Sequence, residues 1–274
     1  MLRGFYTAAA GMMANQRMQE TLSNNMSNAY TPGYKEDQGT LRAFPELLIE
    51  RMGSKEIPTK NGFKVPDNGH VGSLNTGVYM QEAVPSFVQG DVKETGVGTD
   101  LALIQNSVPD ESGSLFFRVQ NEEGEQRFTR NGNFTVDGEG FLTTNQGYYV
   151  LDDNEEPIAT GGMDFHVTDG GTLSVEGQVT TLGIAYTPDA AEMVKEGNNL
   201  YRLSEEGMII ENPGEEEGVS YSIQQNHLER SNVDSNRTMT DMMNTYRSFE
   251  MNQRVLKAYD QSMQKAVTEI GRLR

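Results

Sequence analysis

The chain contains no cysteine and no tryptophan, and only three of its 274 residues are histidines: His70, His166 and His227. The missing thiol excludes disulfide bonds, cysteine nucleophiles and zinc sites that contain cysteine. The three histidines form neither an HxH nor an HExxH pair. We therefore interpret each of them as an ordinary surface or packing residue.

The sequence also lacks a long apolar run. The longest candidate, FYTAAAGMMA near the N-terminus, is much shorter than the about 20 residues that a transmembrane helix requires. We reject a cleaved secretory signal at this position as well, because the apolar stretch is weak and the helical pattern continues through the supposed cleavage site. A protein of this kind needs another route to leave the cytoplasm.

Basic residues are scarce, since 22 Lys and Arg stand against 40 Asp and Glu and give a net charge of −18. Such a chain repels phosphate backbones and anionic lipids, so we predict no nucleic-acid partner and no polybasic membrane anchor. Residues 1–35 and 227–274 each carry +2, which leaves −22 for the middle. Most of the methionines lie in the two ends and most of the glycines in the middle. The ends are typical of helices and the middle of strands and turns.

The C-terminal segment repeats apolar side chains at alternating spacings of three and four residues. One seam position holds Met242, Phe249, Leu256, Met263 and Ile270, and the other holds Met239, Tyr246, Gln253, Asp260 and Val267. This spacing predicts a coiled-coil helix that packs along another helix, with the two polar members setting the register. The capping residues of SNVDS, 231–235, place its start there, and we expect its end near Arg272.

The N-terminal segment shows a weaker version of the same pattern, which Pro32-Gly33 interrupts. Its apolar positions are Leu2, Phe5, Ala9, Met12, Met18, Leu22 and Met26. We predict that it forms the partner helix of the coiled coil. A second face of each Met-rich helix then remains for neighbouring subunits, and a head-to-tail interface that does not close produces a helical filament.

The middle of the chain alternates short β-rich runs with turn signals. The runs are 115–119, 126–130, 133–136, 141–144, 148–151, 172–175, 179–186 and 199–203. They predict a meander of hairpins, in which Asn131-Gly132 and Asp137-Gly138 adopt positive φ in tight two-residue turns. Residues 36–80 look extended, and we make no strand prediction there.

Motifs that carry chemistry are weak. GVGTD, 96–100, begins like a dinucleotide-binding loop but has leucine at the third glycine position and no helical pattern after it. DDNEE, 152–156, lacks the central glycine and distal glutamate of a calcium loop, so a solvated acidic turn is the better interpretation. We predict no catalytic residue, no cofactor, no metal and no small-molecule substrate.

Three further motifs stand out. They are LSNNMSNAYTPGYK, Leu22 to Lys35, then TRNGNFTVDGEGFLTTNQGYYVL, Thr129 to Leu151, and finally HLERSNVD with RSFEMNQ and AYDQ near the C-terminus. In that order they resemble the N-terminal signature, the shared β-domain and the C-terminal block of a known family, the bacterial flagellar rod, hook and hook-associated axial proteins. The resemblance covers nearly the whole chain apart from about 44–80. The family's GxGFFxV element is replaced by LFFRV, preceded by extra polar residues in the loop at 101–117.

The resemblance implies an α+β subunit with no catalysis. It implies a flagellar basal-body rod protein that the flagellar type III apparatus exports unfolded, that polymerises with itself beside neighbouring rod and hook proteins, and that transmits torque to the hook. The length is similar to that of the distal-rod class. The implied domains are an N-terminal assembly helix, 1–35, an extended stretch, 36–80, a β-rich outer domain, 81–226, and a C-terminal coiled-coil helix, 227–274.

The expected assembly interface combines the helix seams with the N-terminal motif. It comprises Leu2, Phe5, Ala9, Met12, Leu22, Asn24, Asn25, Asn28, Thr31, Gly33, Met239, Met242, Tyr246, Phe249, Leu256, Met263, Val267 and Ile270. Two alternatives stay open: a hook or junction subunit, and an exported β-rich protein that binds or remodels cell wall. A cytoplasmic export chaperone is disfavoured by the large β-rich middle.

Overall fold

A computed structural model describes residues 2–57, 63–110, 112–204, 209–211, 213 and 218–272. The fold is α+β, with a helix near each end and a β-rich middle, as the sequence predicts. Its contacts divide the chain into two compact units. Unit 1 comprises Met1–Ser23, Gln38–Ala83 and Asn236–Arg274, and unit 2 comprises Asn24–Asp37 and Val84–Ser235.

The two long helices are α1, Leu2–Ser27, and α2, Ser235–Gly271. The predicted start of α2 within 231–235 and its end near Arg272 are confirmed. The N-terminal helix ends before Pro32, which lacks the N–H that a continuing helix would need. Among the described residues, neither helix is both long and apolar enough to cross a membrane.

Unit 1 also contains strands in the region where the sequence supported no strand prediction. They are β1, Asp37–Ala43, β2, Leu47–Ile57, β3, Phe63–Leu74, and β4, Val78–Pro85. β1 pairs with β4, and β2 pairs with β3 in an antiparallel hairpin. Most of the described side chains of β1 and β4 are at least partly exposed, so these two strands need no regular alternation of apolar and polar residues, which is the signal that a strand prediction uses.

Unit 2 is built from short antiparallel strands. They are β5, Val92–Glu94, β6, Leu101–Ser107, β7, Ser114–Gln120, β8, Gln126–Thr129, β9, Phe134–Val136, β10, Leu142–Thr144, β11, Tyr149–Val150, β12, His166–Val167, β13, Thr172–Val175, β14, Gln178–Thr181, β15, Ile184–Thr187, β16, Met193–Gly197, β17, Leu200–Leu203, β18, Ile210–Glu211, β19, Ser220–Gln225, and β20, His227–Glu229. The main sheet has the order β16-β17-β8-β7-β11-β10-β9, and β15 pairs with both β7 and β18. Each predicted β-rich run contains strand, and the run 179–186 is divided between β14 and β15.

The central strand β7 is buried on both faces, because successive side chains of a strand point to opposite sides of the sheet. Leu115, Phe117 and Val119 enter the larger core, and Phe116 enters a smaller core with Tyr201. Two packed faces make β7 the structural centre of unit 2.

The prediction of positive φ at Asn131-Gly132 and Asp137-Gly138 is wrong. Positive φ occurs instead at Gly140 in the β9–β10 connection. Gly132 is needed for a different reason, since a Cβ there would collide with the carbonyl oxygen of Leu101. The Asn131-Gly132 pair does not close a hairpin, because β8 pairs with β7 and β17 while β9 pairs with β10.

Candidate functional site

The two terminal motifs meet inside unit 2. The amide of Gly33 donates a hydrogen bond to the carbonyl oxygen of Glu229 over 2.9 Å. The side-chain amide of Asn232 donates to the carbonyl oxygen of Ser86 at 2.8 Å, and its oxygen accepts from the amide of Glu36 at 2.7 Å. The N-terminal and C-terminal motif segments are therefore held against each other by direct hydrogen bonds.

A buried ionic cluster forms the centre of this meeting point. The Nζ of Lys35 lies 2.7 Å from Oε1 of Glu229, and Nη2 of Arg130 lies 2.7 Å from Oε2 of the same carboxylate. All three side chains are 2% exposed or less. Because a buried charge is very costly unless it is paired and hydrogen-bonded, both cations depend on Glu229 for their burial.

The remaining donors and acceptors of the cluster are satisfied by the backbone. Lys35 also donates to the carbonyl oxygen of Val88 at 2.9 Å, and the amide of Gly90 donates to Glu229 at 3.0 Å. Arg130 donates to the carbonyl oxygens of Leu115 and Leu103 at 2.9 and 3.0 Å. These bonds place Arg130 between strands β6 and β7.

The pKa values of Lys35 and Glu229 are set by burial and by the presence of two cations beside one carboxylate. Burial, together with repulsion by Arg130, lowers the pKa of Lys35 to about 8 although Glu229 favours its charged form. Burial by itself would raise the pKa of Glu229, but Arg130 and Lys35 outweigh it and hold that pKa below its ordinary value. Glu229 is therefore the common counter-ion of the cluster.

A second polar group surrounds Asn25. Its side-chain amide donates to the carbonyl oxygen of Asp37 at 2.8 Å, and its oxygen accepts from the amide of Asp37 at 2.9 Å and from the hydroxyl of Tyr34 at 3.0 Å. Lys195 pairs with the Asp37 carboxylate at 3.0 Å and lies 4.0 Å from the centre of the Tyr34 ring. Burial, followed by the charge of Asp37, raises the pKa of Tyr34. The motif asparagine thus closes the loop that follows α1.

Gly33 has a conformational and a steric reason to be glycine. Its φ is +66°, in the left-handed region that glycine adopts readily. A Cβ at this position would also lie 2.5 Å from the backbone carbonyl of Arg130. The close approach brings the N-terminal motif onto the segment that carries Arg130.

Asn24, Asn28 and Thr31 form the turn that leaves α1. The side-chain amide of Asn28 donates to Oδ1 of Asn24 at 2.7 Å, and its oxygen accepts from the hydroxyl of Thr31 at 3.1 Å. The contacts described for these expected interface residues are made within the chain.

In unit 1, α1 and α2 lie side by side and run antiparallel. A Cβ at Gly4 would collide with the hydroxyl of Tyr259, and one at Gly11 would lie 2.9 Å from Nδ2 of Asn252. Moving forward along α1 therefore means moving backward along α2. Glycine at these two positions lets the larger side chains of α2 approach the α1 backbone.

The less exposed residues of α2 repeat with steps of three and four. Thr245, Asn252 and Tyr259 alternate with Met242, Phe249 and Leu256 along this face. The first expected seam therefore lies on the face that contains the α1 contacts. In the second expected seam, Met239, Tyr246 and Val267 are exposed by 57%, 54% and 72%.

The expected residues of α1 have mixed environments. Leu22 is buried, whereas Phe5, Ala9 and Met12 are partly exposed. Met263 of α2 is exposed, at 38%. The side chains of Leu2 and Ile270 lie outside the described residues.

The sequence interpretation did not single out Arg130, Glu229 or Asn232 as site residues. Lys35 and Glu229 stand inside the two terminal motifs, so the available signal was a charged residue of each sign within a motif. Their pairing is not visible in the sequence, because 194 residues separate them.

The acidic run at 152–156 forms a turn. Oδ1 of Asp152 accepts from the amides of Asn154 and Glu156 at 2.8 and 2.9 Å. Within the described part of the chain, no group of three His, Asp or Glu side chains could hold a metal ion.

Comparison with known families gives three matches. Residues 5–35 match the model described as flagella basal body rod protein. Residues 112–186 match the flagellar hook protein FlgE/F/G D1 domain, and residues 224–269 match the flagellar basal body rod FlgEFG protein C-terminal model.

Related proteins align over nearly the whole chain. The Bacillus subtilis flagellar hook-basal body complex protein FlhO is 40% identical over 279 residues, which cover all of both chains. The Agrobacterium fabrum flagellar basal-body rod protein FlgG is 28% identical over 269 residues, covering 95% of this chain and 96% of the relative. The B. subtilis flagellar hook-basal body complex protein FlhP is 27% identical over 275 residues, covering 96% and 97%.

The chain therefore belongs to the family of flagellar rod and hook proteins. It is a structural protein of the flagellar basal body and not an enzyme.

Proposed function

We propose that this protein is a distal-rod subunit that the flagellar type III apparatus exports and that polymerises with itself into a helical tube. In this proposal α1 and α2 form the coiled-coil inner wall, and unit 2 faces outward. The tube contacts other rod and hook proteins at its ends and transmits torque to the hook. Relatives named as FlgG rod proteins over nearly the full length support the position in the rod.

The observation that carries self-assembly is the exposed apolar surface of the two helices. Tyr6 and Met13 of α1 are 64% and 59% exposed, and Met239, Met243 and Tyr246 of α2 are 57%, 47% and 54% exposed. Clustered large apolar side chains on a protein surface are typical of an interface with another protein. Each helix therefore offers a surface for a neighbouring subunit.

The position of the ionic cluster in unit 2 suits a protein that transmits mechanical force. Lys35 and Glu229 belong to the chain segments that continue in sequence into α1 and α2. A force that pulls on either segment must break the ion pairs and hydrogen bonds of this cluster before the segment can leave unit 2. We infer that this arrangement resists extraction of either segment under torque.

The charge distribution fits an outward position for the middle of the chain. The acidic middle carries the excess negative charge, whereas the two ends are slightly basic. Like charge on the outside of a polymer opposes lateral association with other polymers. The neutral to basic helices are free of this repulsion and suit close packing in the wall.

Two measurements test the proposal. First, the purified chain is concentrated and followed by sedimentation velocity and negative-stain electron microscopy, which should show helical tubes. Second, antibody against unit 2 is applied to purified hook–basal-body particles of the source bacterium, and gold label should lie on the rod below the hook. Label on the hook would move the subunit to the hook or junction. Absence of label, with the protein free outside the cell, would favour the cell-wall-binding alternative.

A further inference from the structure

The side of α1 that faces away from α2 forms one wall of an apolar groove of about 490 Å³ in unit 1. Tyr6, Ala10 and Met13 line this wall, and the steps of four and three residues between them place all three on the side opposite Gly4 and Gly11. Tyr6 and Met13 are 64% and 59% exposed. The contact with α2 uses the glycine side of α1, so the groove stays open in the single chain.

The opposite wall and floor of the groove are also apolar. Phe44, Val78, Tyr79 and Met80 contribute from β4 and from the residues that follow β1. The rings of Phe44 and Tyr79 pack against each other with centres 5.1 Å apart. An open apolar surface of this kind is typical of an interface with another protein.

A cation stands at each end of the groove wall on α1. Arg3 lies one turn before Tyr6, and Arg17 lies one turn after Met13. Among the described residues, neither arginine has a carboxylate within ion-pair distance. The groove therefore suits an apolar helix face that carries an acid at one end and no cation beside either arginine.

α2 carries a surface of that chemistry, which we call the α2 stripe. Met239, Met243 and Tyr246 are exposed and follow one another at steps of four and three residues, and Glu250 continues the stripe after a further four. The stripe lies about a third of a turn away from the side of α2 that contacts α1. Glu250 pairs with the exposed Arg254 of its own helix at 2.7 Å, and a pair of this kind contributes little to stability. The stripe can therefore contact another helix while α2 keeps its contact with α1.

The symmetry of a tube fixes the relative direction of the groove and the stripe. Copies that are related by rotation about the tube axis and translation along it keep the same helix directions. Because α1 and α2 are antiparallel within the chain, α1 of one copy and α2 of another are antiparallel as well. In the tube, the groove can therefore receive the α2 stripe only in antiparallel orientation.

One antiparallel register joins opposite charges and apolar residues at the same time. Its facing pairs are Arg3 with Glu250, Tyr6 with Tyr246, Ala10 with Met243, and Met13 with Met239. Both surfaces alternate steps of three and four residues, so successive pairs lie on alternate sides of the contact, as in a coiled coil. A shift of one heptad in one direction would bring Lys257 beside Arg3. The same shift in the other direction would carry Met13 past the start of α2.

We propose that the α1 groove of one copy of this chain binds the α2 stripe of a second copy in this antiparallel register. The inference rests on the proposed self-assembly and identifies the surfaces that carry it. Within the chain Gly11 lies opposite Asn252, so residue 10 is level with residue 253. In the new contact residue 10 is level with Met243 of the second copy.

The difference of about ten residues between the two registers staggers successive copies by about 15 Å along the helices. The groove and the stripe are different patches of one chain, so the contact is head-to-tail. A head-to-tail contact with an axial stagger does not close into a ring, and its repetition builds a helical filament.

The absence of cysteine makes a direct test possible. One chain carries Met13→Cys and a second, differently tagged chain carries Met239→Cys, and the mixture is allowed to assemble and is then oxidised with diamide. We expect a disulfide between the two tagged chains to form at least about tenfold faster than with Met251→Cys in place of Met239→Cys, because docking raises the effective concentration of the thiols. Met251 is a matched control, since it is 59% exposed on the same helix but lies off the stripe.

Equal crosslinking with Met239→Cys and Met251→Cys would overturn the docking. Faster crosslinking with Tyr246→Cys than with Met239→Cys would overturn the register, and fast crosslinking between two Met13→Cys chains would place α1 of the second copy in the groove instead of α2. Tubes seen by electron microscopy without the crosslink between residues 13 and 239 would overturn the docking and leave the proposed polymer intact. The crosslink without tubes would retain the docking and overturn the polymer.

Charge reversal gives a second readout, which does not depend on cysteine. Arg3→Glu and Glu250→Arg should each weaken association in sedimentation velocity, because like charges then meet at one end of the groove. The double variant restores opposite charges and should regain association. Failure of the double variant to regain association would contradict the antiparallel register.

Discussion

Lys35 and Glu229 are joined by a 2.7 Å ion pair although 194 residues separate them in the chain. Arg130 binds the other oxygen of the same carboxylate, so one glutamate pairs with two buried cations. The contact brings the N-terminal and C-terminal family motifs together. It explains physically why charged side chains stand inside both motifs.

We expect Glu229→Gln to destabilise unit 2 strongly, by about 3–5 kcal/mol, because it leaves two buried cations without their counter-ion. Lys35→Met should have a smaller effect, since Arg130 still neutralises Glu229. Urea unfolding followed by circular dichroism measures both. Arg254→Gln is the control, because it removes an exposed ion pair and should cause no measurable change. Equal stability of Glu229→Gln and the wild type would show that the cluster does not stabilise the domain.

The cluster also predicts the acid sensitivity of unit 2. The pKa of Glu229 is lower in the folded chain than its ordinary value of 4.5, so the unfolded state binds more protons just below that pH. The contribution of Glu229 is therefore complete above pH 4.5 and is lost as the pH falls through the folded pKa. The difference in unfolding free energy between wild type and Glu229→Gln, measured from pH 7 to pH 3, should shrink on acidification. A constant difference over this range would contradict the assignment.

Gly33→Ala should destabilise unit 2 by at least about 2 kcal/mol, because it combines positive φ with a backbone collision. Gly138→Ala is a matched control, since its φ is not in the left-handed region and no atom lies within 4 Å of the added Cβ. Thermal unfolding of both variants distinguishes them. If Gly33→Ala and Gly138→Ala had similar melting temperatures, the backbone at residue 33 could move away from Arg130 with little loss of stability.

Phe249→Asp combined with Leu256→Asp should abolish assembly and motility while unit 2 stays folded. Both side chains lie on the less exposed face of α2, where charge would be forced into the helix pair. Motility on soft agar and circular dichroism of the purified variant measure the two outcomes. Lys257→Asp with Gln264→Asp has the same spacing at exposed polar positions and should leave assembly unchanged. Normal motility of the Phe249/Leu256 variant would contradict the prediction that these two side chains pack in the helix seam.

Local patterns located part of the elements. The capping residues at 231–235 located the start of α2, and the β-rich runs located several strands of unit 2, among them β7 to β11. Neither β1 to β4 nor the long pair β6 and β19 was predicted. The pairing of those strands was not predictable from their own residues. Asn131-Gly132 looked like a hairpin turn, but the carbonyl of Leu101 and the pairing partners of β8 and β9 determine the conformation there.

In the two helices, too, the sequence pattern identified the apolar positions but not their packing partners. The spacing of Met242, Phe249 and Leu256 identified one seam, whereas the second position, with Met239 and Tyr246, is exposed in the single chain. A pattern of apolar residues shows that a face requires a partner. It does not show whether that partner comes from the same chain or from another copy.

The sequence alone determined the α+β class, the two terminal helices and the family, because these depend on residue spacing and short motifs. Only the tertiary structure decided that Lys35, Arg130 and Glu229 share one buried site and that α1 and α2 run antiparallel. It also decided which apolar side chains of the two helices remain exposed. These relationships join residues far apart in the chain. They depend on which buried charges and apolar faces satisfy one another in space, and no local pattern encodes that choice.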